Sequence, residues 1–216
     1  MRTMFATLLL SLTLLFGGSG AGLASPPSHH DADPNAAPAT ELQLALRDLW
    51  TGHIFWVRSY VFASHYGDSE SAKAADAKTV ENARTIADAI APFYGQEAAD
   101  QLFQLLAGHY GAVKNYMAAH FAERETEQDA ATEQLTANAD EIATFLSDAN
   151  PHLPKNSVLP LLMAHGGHHM QQIDAVHERD FSAEAEVWDD MLAHIYQIAD
   201  ALADALAKQF PDQAAD

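Results

Sequence analysis

From Thr40 to Gln209 the apolar residues of this chain recur every three or four positions and nowhere alternate every second residue for long. That rhythm specifies helices and leaves no stretch for a sheet. Thr40 with Gln43 three residues on has the spacing of a capping box, and Leu42, Leu46, Leu49, Val57 and Tyr60 mark one face of a first helix ending near Tyr66, before Gly67-Asp68. A second helix is expected from Ser71 to Ala91, stopped by Pro92 and Gly95, and a third from Gln96 to Phe121. A fourth spans Thr126 to Ser147 and stops at Asn150-Pro151; with Pro154 this is the clearest interior break. A fifth runs from Ser157 to Glu178, and a sixth, with Ser182 as cap, runs to Gln209 before Pro211. Links this short favour antiparallel neighbours. The fold class is therefore all-α, an up-and-down antiparallel bundle of about six helices, read as a four-helix core plus flanking helices. No fixed-period repeat stands out.

The bundle domain, residues 40–211, is preceded by two segments of other character. Arg2, the apolar run Met4 to Phe16 and the small residues ending at Ala24 read as a cleavable signal peptide over residues 1–24. The apolar run falls short of the about 20 residues a membrane span needs, so no membrane span is expected after cleavage, and the mature chain is expected to be periplasmic or secreted. Residues 25–39, rich in Pro, Ala and Asp, read as a disordered linker, and residues 212–216 as a C-terminal tail.

Composition removes several functions. With no cysteine, disulfides, thiolate metal sites, Cys nucleophiles and covalent c-type haem attachment are excluded, although export would permit disulfides. A formal net charge of −19 makes nucleic acid and anionic membrane surfaces poor partners and cations natural ones. Against that acidity, 12 histidines are the oddity of the composition.

Several of these histidines fall on core faces. At 100° per residue, His53 lies within about 40° of the apolar stripe of the first helix, and His109 lies within about 40° of Leu102, Leu105, Val113 and Tyr116 on the third. His165 and His169, four apart on the fifth helix, share a face with Leu161, Gln172 and Val176. His194 shares one with Val187 and Ile198 on the sixth, with Asp190 one turn before it. All sit near helix midpoints, which antiparallel packing brings to one level. Three or four imidazoles, with Asp190 as a possible partner, suit Zn, Cu, Ni or Fe, and an i, i+4 pair chelates one ion. Asn115, Asn138, Gln172 and the core tyrosines are candidates to orient such ligands.

Glycines beside the histidines (Gly52, Gly108, Gly111, Gly166, Gly167) each cost a helix about 1 kcal/mol relative to alanine, so close helix approach or a ligand must compensate. Haem or another organic cofactor, with His, Met117 or Met191 as axial ligands, would use the same room. Ferritin-like Glu-x-x-His pairs, His-Glu-x-x-His, phosphate loops and nucleophile elbows are missing from the sequence. The acidic runs 123–129 and 184–190, Asp190 apart, read as solvated faces, and Arg58 as a side chain reaching outward from the core.

The segments LWTGHIFWVRSY, AIAPFYG, LLAGHYGAVKNY, TANADEIATFLSDANPHLP and LLMAHGGHHM together resemble an uncharacterised family of small all-helical bacterial proteins with the pattern LWxxHxxWxR, PFYG, NADEIAxFLSxxNP. The resemblance spans Leu46 to Pro211. It implies a helical fold and that His53, His109 and His165 match family histidines, with Gly52 in place of an acidic residue; His168, His169 and His194 lie outside the pattern. It implies no activity. The reading adopted is an exported helical bundle that binds a transition metal through His53, His109 and His165, with His169 or His194 completing the shell and Asp190 as a further candidate ligand. The alternatives are a structural or interaction bundle with a buried histidine network, and a haem-binding or other cofactor-binding bundle.

Overall fold

The computed structural model describes residues 40–213; the expected signal peptide, linker and last three tail residues lie outside that range. Six long helices and one single turn make up the fold: α1 (Glu41–His65), α2 (Ser69–Asp88), α3 (Ala91–Tyr94), α4 (Gln96–Phe121), α5 (Glu125–Ala149), α6 (Lys155–Glu178) and α7 (Phe181–Gln209). No strand occurs among the described residues, and no helix there is long and apolar enough to cross a membrane.

Local chemistry sets the ends. The expected capping box is present at α1, where the Thr40 hydroxyl accepts from Gln43 N and the Gln43 side chain accepts from Thr40 N. Asp180 caps α7 by accepting from Ala183 N at 3.0 Å, so the helix starts one residue before the expected cap, Ser182. Pro92 does not simply end a helix. It opens the extra turn α3, and Gly95, at φ 85°, reverses the chain into α4.

Antiparallel neighbours are fixed by contacts whose residue numbers rise on one helix as they fall on the other. Arg47–Asp200 and Arg58–Glu184 join α1 to α7, Asp76–Lys114 joins α2 to α4, Leu105–Asn138 joins α4 to α5, and Lys155–Asp140 joins α6 to α5. The result is cyclic. Helices α1, α4 and α6 run in one direction around an axis, and α2, α5 and α7 run in the other, each packed between two of the first set.

This arrangement exposes an internal repeat that the sequence alone conceals. Leu49, Leu105 and Leu161 are spaced by 56 residues, and so are His53, His109 and His165. The same interval relates Ile86, Ile142 and Ile198, then Ala87, Ala143 and Ala199. Each repeat is one helical hairpin: α1 with α2, α4 with α5, α6 with α7. The expectation of no fixed-period repeat is corrected here. Few positions are identical, and Leu, Ile and Ala at helical spacing look alike in any bundle, so equivalence becomes visible only when the three hairpins are seen around one axis.

Candidate metal centre

The three repeats place one histidine each at the centre. His53 lies midway along α1, His109 midway along α4 and His165 near the middle of α6, and all three are buried. Their ring centroids form a nearly equilateral triangle with sides of 6.3, 5.6 and 5.5 Å. His169 sits one turn beyond His165, at 5.7, 5.8 and 4.5 Å from the rings of His53, His109 and His165. It occupies the repeat position held by Val57 and Val113 in the other hairpins. Each of the four residues can offer one ring nitrogen such that these nitrogens all lie within 4.8 Å of one another.

The electrostatics suit a ligand set. Burial lowers His53 to about 3 and His109 to about 4, and His165 and His169 fall well below the ordinary imidazole value, again chiefly through burial and then through their neighbouring imidazoles. All four rings are neutral at pH 7. The Nε2 atoms of His165 and His169 face each other at 3.2 Å, a distance at which two lone pairs need a proton or a cation between them. Nε2 of His53 and Nε2 of His109 are buried without any hydrogen-bond partner, as are Nδ1 of His165 and Nδ1 of His169. Each unsatisfied buried polar atom costs about 1–3 kcal/mol, so a cluster of them calls for a stabilising partner.

The other expected residues are placed elsewhere. His194 is at the right level of α7 but turned aside, its Nε2 donating to Leu161 O at 2.8 Å and its ring 5.3 Å from that of His168. Met191 and Ile195, both fully buried, define the inward line of α7, and His194 is about 60–100° from them. Asp190 is exposed. Among the candidates for orienting the ligands, Asn115 pairs with Gln134, Gln172 donates to Glu184 and the Tyr116 hydroxyl donates to Asp174, away from the four rings, whereas the Asn138 amide hydrogen-bonds His109 and partly offsets the lowering that burial imposes there.

His194 instead completes a second repeated feature. Asn82 Nδ2 donates to Leu49 O, Asn138 Nδ2 to Leu105 O, and His194 Nε2 to Leu161 O. These three donors are spaced by 56 residues, and each reaches the carbonyl four residues before a central histidine. Two of the glycines follow from this. A Cβ at Gly52 would come to 2.9 Å from Asn82 Nδ2, and one at Gly108 to 3.3 Å from Asn138 Nδ2. Gly111, Gly166 and Gly167 meet nothing within 4 Å and have no such reason.

Sequence reasoning missed a buried ion pair. Glu184, read as part of a solvated face, is buried and bound bidentately by Arg58 at 2.6 Å, with Gln172 donating at 3.1 Å. The guanidinium also stacks 4.8 Å above Trp188. The available signal was that Glu184 falls within about 20° of both Met191 and Ile195 on the helical wheel.

Along the axis, on the N-terminal side of the three central histidines, lies a cavity of about 70 Å³. All three repeats line it at equivalent positions: His53, His109 and His165 at one end, then Trp50, Leu106 and Leu162, then Ile86, Ile142 and Ile198. His169 does not border it. At the far end Asn150 Nδ2 donates to the Tyr94 hydroxyl at 2.9 Å, and that hydroxyl donates to Gln209. The volume is far below the roughly 300–1,000 Å³ of ordinary organic-ligand pockets and too small for haem.

No family model matches the chain, and neither a curated protein nor a solved structure matches it. The functional reading rests on the site itself.

Proposed function

We propose that this protein is an exported, periplasmic or secreted helical bundle that binds a transition-metal ion through His53, His109, His165 and His169. The observation that carries the reading is four neutral imidazoles from three helices, each offering a ring nitrogen to a cluster within 4.8 Å, in which Nε2 of His53 and Nε2 of His109 have no protein partner. Imidazole nitrogens bind Zn, Cu, Ni and Fe at about 2.0–2.1 Å, which puts tetrahedral ligand atoms roughly 3.3 Å apart, and the 3.2 Å separation of the His165 and His169 nitrogens matches that edge. No carboxylate joins the set: Asp190 is exposed and Glu184 is neutralised by Arg58. An uncompensated buried charge is costly, so the all-neutral donors favour the singly charged ion, Cu(I), within this group.

A purely structural histidine network requires a hydroxyl or amide partner for each ring, and beyond the His165–His169 contact the centre supplies the Asn138 amide at His109. Metal analysis of untagged protein, purified without an immobilised-metal column, is expected to give about one equivalent per chain and a higher melting temperature than the chelator-stripped form. Less than about a tenth of an equivalent, with no stabilisation by added Cu, Zn or Ni, overturns the proposal.

A further inference from the structure

The axial cavity meets the histidine centre on one side only. His53, His109 and His165 form the wall it touches, and His169 stands behind that wall, one turn toward the C-terminal end of α6. Three of the four imidazoles that would surround an ion therefore face a space that a small molecule can enter, while the fourth closes the opposite side. Four imidazoles complete a tetrahedral shell, so a molecule in the cavity rests against this histidine wall and takes no position on the ion.

The walls define that ligand. No charged side chain lines the cavity; the layers beyond the histidines are Trp50, Leu106 and Leu162, then three isoleucines, so an anion or a strongly polar molecule would be stripped of water there without compensation. The volume is several times the roughly 10–15 Å³ that one water needs on the same measure, yet too small for most metabolites. Beyond the histidines the polar groups of the wall are the indole N–H of Trp50, buried without an acceptor, and the Tyr94–Asn150 pair at the far end, whose hydrogen bonds are made to each other and to Gln209. We propose that the cavity admits a small neutral diatomic molecule, of the size and polarity of dioxygen, nitric oxide or carbon monoxide, to the wall formed by His53, His109 and His165.

Two measurements test this inference apart from the metal reading. Metal-free protein is equilibrated with xenon and followed by methyl and imidazole NMR. Saturable shifts are expected at Ile142, Leu106 and the rings of His53, His109 and His165, with none at His194. They are expected to be lost in Ala139→Leu, which fills the cavity from α5, and in Ala201→Phe, which blocks it from the partly exposed rim and guards against misfolding of the first variant. Absence of saturable shifts in the unsubstituted protein overturns the inference whatever the metal content. The titration is then repeated on metal-free protein with carbon monoxide in place of xenon, and saturable shifts at the same residues are expected, lost again in both variants. Their absence with carbon monoxide overturns the inference for a diatomic molecule. Copper that fails to bind overturns the metal reading alone, because both titrations are made without metal.

Discussion

An imidazole placed in an apolar core sheds its proton, and four of them packed together shed it more readily still. His53 drops to about 3 and His109 to about 4 from an ordinary 6.5, with His165 and His169 also depressed, so on acidification the unfolded chain takes up protons before the folded one does. Their contribution to stability is complete above pH 6.5 and is lost as pH falls from there toward the folded values. Denaturant titrations of the metal-free protein at pH 7 and pH 5 are expected to show a marked loss, each histidine adding up to about 1.4 kcal/mol per pH unit. Equal stability at the two pH values would contradict the burial of these rings. At this scale the sequence was legible where a histidine shared its face with leucine and valine, as for His53 and His109. It misled at His194 and Glu184, because the wheel of one helix does not say which neighbour defines inward.

Helix rhythm and capping residues placed the six long elements to within a few residues, since those signals act within one or two turns. The single turn α3 escaped because Pro92 and Gly95 read equally well as a plain stop. The glycines of the central helices divide by what the neighbouring helix puts against them. Gly111→Ala and Gly167→Ala, with open space around the new Cβ, are expected to stabilise the protein by about 1 kcal/mol each. Gly52→Ala is expected to gain almost nothing, because its methyl group displaces Asn82 from Leu49 O and forfeits a hydrogen bond worth about 1 kcal/mol. Thermal unfolding of the three variants checks the contrast. A gain at Gly52 equal to that at Gly167 would show that the Asn82 contact contributes nothing.

Across the whole molecule, three hairpins build one centre that no single hairpin contains. His194 takes the place of Asn82 and Asn138 in the third repeat and does their work of bracing a central helix. His194→Asn is therefore expected to leave metal content unchanged and stability within about 0.5 kcal/mol, read by metal analysis and melting temperature. Loss of the metal in that variant would return His194 to the ligand set. His169, by contrast, is the departure from three-fold equivalence, and it converts a triangle of imidazoles into a four-ligand set closed on one side.

Helicity, the level of the histidines along their helices and the absence of thiolate chemistry are all readable from the chain, because each depends on local pattern or on composition, and export is an expectation drawn from the same kind of pattern. The closing of three hairpins around an axis is of another kind. It decides that four of the six candidate residues meet, that His194 and Asp190 do not, and that an apolar cavity opens on one face of the cluster. Convergence depends on the rotation of each helix about its own axis, and that rotation is set by neighbours as far as 161 residues away in the chain, such as Gln43 and Asp204, and not by the residues alongside.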